Sequence, residues 1–275
     1  MIQNTRPNQV VKLSPERQFM LNILALPRPV HPMFGLLEVD VTAVRSFITE
    51  HRSRSGENLS FTGYIAFCLA RAVEEHKEVQ AYRQGNRHFA FFEEVDVGLM
   101  VERQVGDKKE LTGHVIRDAS HKTYREIHEE IRSAQSPGSD TSKEAPGWFL
   151  AVLQHSGIFS KLIFKILGWV IKRNPAIPVS INGTVGITAV GMFSKGHSGW
   201  GFETTLHSLD LVVGSIAWKP VVIDGNIVPR EILNLTVVFN HDIIDGGPAT
   251  RFTRRLIELI EGGYGLDEEI ARTDL

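Results

Sequence analysis

Val237-Val-Phe-Asn-His-Asp-Ile-Ile-Asp-Gly-Gly-Pro-Ala-Thr-Arg-Phe252 is the stretch on which the architecture of this chain turns. Ahead of it and into it, Leu233, Leu235, Val237 and Phe239 alternate with more polar neighbours, the period-two pattern of a half-buried strand. Behind it, Pro248 opens a helical pattern carrying Phe252, Leu256, Leu259 and Ile260, which Gly262-Gly263 stops. His241 therefore stands where an extended segment ends, and Asp245-Gly246 marks the turn into the helix. A rigid strand end can aim an imidazole into a cleft, and an ordinary pKa of about 6.5 lets such a ring take and return a proton near neutrality. A structural histidine beside acidic neighbours satisfies the same pattern, so both readings stay open on the residues alone.

Upstream, Val221-Val-Ile-Asp-Gly-Asn-Ile-Val228 reads as a hairpin whose Asp224-Gly225 pair suits a turn needing positive φ, and strands are expected from Gly183 onward. Earlier, Phe34 to Val41 reads as a strand, Val41 to Arg52 as a helix, and Phe61 to His76 as a helix buried nearly all round. His88-Phe-Ala-Phe-Phe and Val95 to Val101 read as two strands. Thr123-Tyr-Arg-Glu126 is a capping box that opens a helix with Ile127, Ile131 and Ala134 on one side. Residues 136–147 form a loop rich in Pro, Gly and short polar side chains. Beyond it, Phe159, Leu162, Ile163, Ile166, Leu167 and Val170 share one helical stripe, with Lys161, Lys165 and Lys172 elsewhere. Such a stripe is expected to pack on the domain, the rival reading being a membrane-surface or substrate-channel helix. Helices and strands mixed without βαβ alternation imply an α+β fold or a mixed-sheet sandwich.

The 275 residues carry 30 Lys and Arg against 32 Asp and Glu, with 23% charged and 42% hydrophobic residues. These values are those of a globular protein and exclude disordered, collagenous and coiled-coil classes. A formal charge of −2 removes the strongest argument for nucleic acid, whose phosphates call for excess Lys and Arg. The single cysteine, Cys68, excludes an internal disulfide framework and suits a reducing compartment. Residues 1–20 lack the apolar core of an export signal, so cytoplasmic residence is expected. Trp148 to Ile171 is the most hydrophobic stretch, but Gln154, His155, Ser156, Lys161 and Lys165 make a membrane span unfavourable. There is no phosphate-binding Gly-x-x-x-x-Gly-Lys-Ser/Thr loop, no Gly-x-Gly-x-x-Gly, no Gly-x-Ser-x-Gly elbow and no His-Glu-x-x-His. With one cysteine as well, no metal is expected.

His241-Asp-Ile-Ile-Asp245-Gly246 matches the His-x-x-x-Asp-Gly motif of the chloramphenicol acetyltransferase-like superfamily. More closely, the chain resembles the catalytic domain of dihydrolipoamide acyltransferases, the core component of 2-oxo-acid dehydrogenase complexes. The likeness runs in order through Leu36-Leu-Glu-Val-Asp-Val-Thr42, the helix from Leu59, Val95-Asp-Val-Gly98 and His114-Val-Ile-Arg-Asp-Ala119. It continues through Gly183-Thr-Val-Gly-Ile-Thr-Ala-Val-Gly-Met-Phe193, Leu211-Val-Val-Gly-Ser-Ile216 and the hairpin that follows.

The resemblance implies a chloramphenicol acetyltransferase-like mixed-sheet sandwich with packed helices, and coenzyme A as a substrate. It implies that His241 deprotonates a thiol of coenzyme A or dihydrolipoamide, and that Thr188, at the position of the family's serine, stabilises the oxyanion. Asp245 matches the aspartate that holds local architecture through an arginine, with Arg17 as its candidate partner and Gly246 beside it. Asn240 stands where the family has an aspartate before the histidine, and Asp242 where it has an arginine after it; both departures bear on substrate recognition. The expected organisation is an arm over 1–16, a catalytic domain over 17–265 with an amphipathic insertion near 148–174, and a tail over 266–275. No lipoyl domain is expected ahead of it and no covalent lipoyl group on the chain. The implied partners are acyl-coenzyme A, a lipoyl-bearing protein as one candidate acceptor, and two further copies in a trimer whose active sites lie between subunits. The alternative is a non-catalytic trimeric scaffold that keeps the fold.

Overall fold

A computed structural model describes residues 13, 21, 31–105, 108–136, 168–170, 173–191, 197–203 and 207–266. The chain divides into two units, Met1–Pro29 with Lys143–Lys172, and Val30–Ser142 with Arg173–Leu275; the second is described below. Arg17 and most of the 148–174 stretch, including the face of its apolar stripe, lie outside the described residues.

Strand β1 (Pro32–Asp40) leads into α1 (Thr42–Ser55) and α2 (Phe61–Glu75), then the small ribbon of β2 (Tyr82–Gln84) and β3 (His88–Ala90). Strands β4 (Val97–Val105) and β5 (Lys108–Ile116) precede α3 (Tyr124–Gln135). After α4 (Ala176–Asn182) come β6 (Val185–Ala189), β7 (Leu209–Ile223), β8 (Asn226–Asn240) and the last helix, α5 (Gly246–Glu261). Six strands form one sheet in the order β1-β8-β7-β6-β4-β5. β4, β6 and β7 run parallel, and the other pairs are antiparallel, so the sheet is mixed and the architecture is α+β.

Local chemistry accounts for the element ends. Ser60 caps α2 by accepting from the Gly63 N–H. At the start of α3, the Thr123 hydroxyl and the Glu126 carboxylate each accept the other's backbone N–H. The β7–β8 turn places Asp224 at φ 49° and Gly225 at φ 80°, the two left-handed residues that a tight hairpin matched to strand twist requires. Helix α2 is buried almost all round, and α5 sets Phe252 edge-on against Phe239 of β8, ring centroids 5.7 Å apart.

One expectation from sequence needs correction. Residues 233–240 are not a half-buried strand: every residue from Leu233 to Asn240 is buried. Leu233, Leu235, Val237 and Phe239 belong to the hydrophobic core. On the opposite face, polar side chains meet the segment 197–203. Asn234 Nδ2 donates to Ser198 Oγ at 2.8 Å and Ser215 Oγ at 3.1 Å, and Thr236 Oγ1 donates to Gly201 O at 2.9 Å. The alternation encodes an apolar layer on one side and a hydrogen-bonded layer, in place of water, on the other. Gly214 permits this close approach, because a Cβ there would lie 2.6 Å from Asn234 O and 2.7 Å from Gly199 O.

Two of the family-like pieces meet through one acid. Asp96 accepts from Arg117 at 2.5 Å and from the Asp118 N–H at 2.9 Å, while its own N–H donates to Thr184 Oγ1 at 3.0 Å. A second acid, Glu57, gathers the helices. Its carboxylate faces His51 at 3.0 Å, Arg125 at 2.6 Å and His128 at 3.2 Å. His128 Nδ1 accepts from the Ser60 N–H, so in the neutral ring the proton sits on Nε2, facing Glu57. Among the described residues no helix is long and apolar enough to cross a membrane.

Replacing Asn234 with Ala is expected to lower stability by about 1–3 kcal/mol, because the buried Ser215 carbonyl and hydroxyl lose the amide that donates to both. The urea midpoint should fall with little change in slope. Acid should also loosen the helical layer. Burial pushes the Glu57 carboxyl up, but hydrogen bonds from Arg125 and His51 outweigh it and bring the pKa from 4.5 down to about 2. A depressed carboxyl stabilises the fold above its unfolded pKa and loses that contribution as pH falls through the folded value. Acid titration followed by far-UV circular dichroism should therefore show a shallower stability loss between pH 4.5 and about 2 in Glu57→Gln than in the parent.

Candidate active site

His241 follows the last residue of β8, and its backbone is tied to the edge strand's approach: its N–H donates to His31 O at 2.9 Å. The same residue grips the next position, with His31 Nδ1 2.7 Å from Asp242 Oδ1. Asn240 closes the turn from the other side. Its Oδ1 accepts the Asp242 N–H at 3.0 Å, and its carbonyl accepts from Ile243 and Ile244. The backbone on either side of His241 is thus fixed, while the imidazole stays half exposed.

Asp245 occupies the cap position of α5 with its backbone carbonyl accepting from Ala249, but its side chain makes no capping bond. The carboxylate lies 3.9 Å from His241 Nδ1, within ion-pair range and outside hydrogen-bond range. The carboxylate therefore lies on the Nδ1 side of the ring, and the Nε2 edge points away from it. Gly246 adds no bulk, and among the described residues a Cβ built there would meet nothing within 4 Å, so they leave that flank of the turn open.

Thr188 sits on β6, partly buried, and its Oγ1 donates to Glu203 Oε2. Burial raises the Glu203 carboxyl to about 7; the Asp210 carboxylate adds to the rise, and the Thr188 hydrogen bond and His207 oppose it. Behind Glu203, Asp210 accepts from His207 Nδ1 at 2.6 Å, and His207 Nε2 faces Asn182 O at 3.1 Å. Both ring nitrogens face acceptors, an arrangement fully satisfied only by the doubly protonated ring.

Strand register separates the two expected groups. Thr188 pairs with Val212, and Val212 with Thr236, so Thr188 lies two strands from β8, level with Thr236. His241 lies five positions further along. With strands about 4.8 Å apart and about 3.4 Å of rise per residue, the two positions are roughly 20 Å apart. His241, Asp245, Gly246 and Asn240 are brought together, while Thr188 is remote and Arg17 lies outside the described residues. The sequence pattern gave no signal for His31 or Glu203: His31 is 210 residues from His241, and Trp-Gly-Phe-Glu203 has no motif spacing. Among the described residues, no group of three or more His, Cys, Asp or Glu is placed to hold a metal ion.

Comparison with known proteins follows the same elements. The lipoamide acyltransferase component of the branched-chain alpha-keto acid dehydrogenase complex of Bacillus subtilis (strain 168) is 25% identical over 231 residues. That alignment covers 82% of this chain and 46% of the relative, so the chain spans about half the length of the protein it matches. Among solved structures, the dihydrolipoamide acetyltransferase of Azotobacter vinelandii superposes with a TM-score of 0.65 at 16% identity, covering 96% of each chain. The cubic core of the pyruvate dehydrogenase multienzyme complex superposes with a TM-score of 0.63 at 15% identity, covering 97% of each chain. These likenesses establish the sandwich fold. The family model for the catalytic domain of the 2-oxoacid dehydrogenases acyltransferases matches residues 5–144 and 181–264, both sides of the unmatched stretch 145–180. On that match, this chain belongs to the 2-oxoacid dehydrogenases acyltransferase (catalytic domain) family.

Proposed function

We propose that the protein transfers an acyl group between coenzyme A and a second nucleophile, a thiol of the dihydrolipoamide type, with His241 as the general base. The observation that carries this reading is the imidazole itself: its backbone is pinned by His31, its Nδ1 side faces Asp245, and the ring is half open to solvent. In the reaction, His241 Nε2 takes the proton of the attacking thiol, and the thiolate adds to the carbonyl carbon of the acyl thioester. The Thr188 hydroxyl donates to the resulting oxyanion. As the intermediate collapses, the C–S bond to coenzyme A breaks and the imidazolium returns its proton to the departing thiolate.

The register argument supports a site shared between subunits, as in the trimer that the resemblance implies. Groups roughly 20 Å apart on one sheet cannot act on one carbon, but His241 of one subunit and Thr188 of its neighbour can share a cleft. The family match begins at residue 5, ahead of the boundary expected at 17, and its break at 145–180 supports an insertion near 148–174. Cytoplasmic residence fits a chain whose single cysteine, Cys68, is buried.

His241→Ala should lower acetyl transfer from acetyl-coenzyme A to free dihydrolipoamide by about 10²–10⁴ in kcat, the usual worth of a general base. Turnover that the substitution leaves intact would sink the enzymatic reading in favour of a scaffold. Thr188→Val should cost about 10²–10³ in kcat, and Thr188→Ser should restore most of it, since only the hydroxyl is needed. Mixing His241→Ala with Thr188→Val protein under subunit exchange tests the shared cleft. Mixed trimers should regain activity at sites formed by two intact partners, and exchange without any recovery would count against it.

A further inference from the structure

We propose that Glu203 is a positioning residue that switches the donor capacity of Thr188, its protonated carboxyl releasing the threonine hydroxyl toward an oxyanion and its carboxylate capturing it. The inference rests on the acyl-transfer reading and adds a control to it. A threonine hydroxyl carries one proton, and in the structure that proton is directed at Glu203 Oε2. While Glu203 is a carboxylate, the hydroxyl is engaged and a fixed negative charge stands one hydrogen bond from where an oxyanion would form. Once Glu203 holds a proton, its own O–H donates to Thr188 Oγ1, and the threonine proton can turn to the reacting oxygen. No bond to carbon is involved; one proton is gained or lost at Glu203, exchanged with solvent.

The surroundings set where the switch falls. Glu203 is half-buried, and among the described residues the charged groups that face it are Asp210 and His207. Asp210 is itself held by the His207 ring at 2.6 Å and by the His207 N–H at 3.3 Å, so its carboxylate is fixed in place. Gly186 makes room for this pair, since a Cβ there would lie 2.0 Å from Asp210 Oδ1. Burial first, then Asp210, carries the Glu203 carboxyl to about 7, inside the range where enzymes work. The sign follows directly: below that value Thr188 is available, and above it Thr188 is captured. His241 must be neutral to accept a proton, which adds an opposing loss on the acid side.

The pH dependence of kcat with acetyl-coenzyme A and free dihydrolipoamide tests the switch. The parent should lose about tenfold per pH unit above the transition, while the normalised profile of Glu203→Gln should lack that limb, since the amide N–H donates to Thr188 at every pH. A parent that turns over while Glu203→Gln keeps the same alkaline limb overturns the switch alone. A parent without turnover at any pH overturns the acyl-transfer reading as well. Isotope-edited infrared spectra of the parent supply an arm independent of variant folding. A protonated glutamate band lost as pH rises through about 7, and missing from Glu203→Gln, is the expected result. A Glu203 already ionised at about pH 5.5 overturns the proposal.

Discussion

A strand buried on both faces and paired on both edges cannot slide. Slipping β8 by one residue would turn Leu233, Leu235, Val237 and Phe239 into the polar layer and push Asn234 and Thr236 into the helical core. Each misplaced polar group would forfeit its partner beneath the 197–203 segment, and each misplaced apolar one its contacts with the helices. Register is therefore enforced from two directions by chemically opposite layers. The position of His241 inherits that certainty because it is the first residue past the strand, and the His31 carbonyl fixes its N–H at 2.9 Å. Helix α5 adds a third restraint through Phe252, whose edge meets the face of Phe239 two residues before the histidine.

On the acyl-transfer reading, the two halves of the chemistry are built in contrasting environments on one sheet. Among the described residues one carboxylate, 3.9 Å away, attends His241 on its exposed turn, whereas Thr188 lies in a partly buried patch of titratable groups with Glu203, His207 and Asp210. A general base gains from exposure because its thiol substrate can reach it, and because low dielectric disfavours the imidazolium that forms when it takes the proton. An oxyanion donor gains from the reverse, since a dipole fixed in a dry site interacts more strongly with developing charge. Roughly 20 Å between the two on a single subunit lets each keep its own surroundings until assembly joins them.

Much of the fold is legible in sequence where periodicity and punctuation agree. Asp224-Gly225, the Thr123–Glu126 box and the apolar run from Phe61 each signal an element by a local mechanism, and each element is present. Strand β5 is not marked in this way, because Lys108-Lys-Glu-Leu-Thr-Gly113 has neither apolar alternation nor β-branched density and is placed by pairing with β4. The buried polar face of β8 is likewise invisible in isolation: Asn234 and Thr236 look solvent-directed until the distant 197–203 segment is laid over them. Within the site, His241 is legible because a motif surrounds it. Glu203 and His31 are not, since each acts through a partner remote in the chain or unmarked by spacing.

The flanks of His241 are a further case in which geometry decides what composition leaves open. An acidic residue directly after the histidine could be read as a charge aimed at substrate or ring. Asp242 instead engages the His31 ring at 2.7 Å, and its N–H is taken by Asn240, so both departures serve to close the turn. The carboxylate nearest the catalytic ring is Asp245 at 3.9 Å, and an exposed pair at that distance contributes little in water. On the acyl-transfer reading, the turn therefore orients His241 more than it polarises it. The electrostatic power of the ring must come from exclusion of water when a neighbouring subunit and the substrate cover its open flank. An exposed histidine beside an open glycine is, on this argument, half of a site waiting for its other wall, consistent with a threonine that the same subunit holds too far away to use.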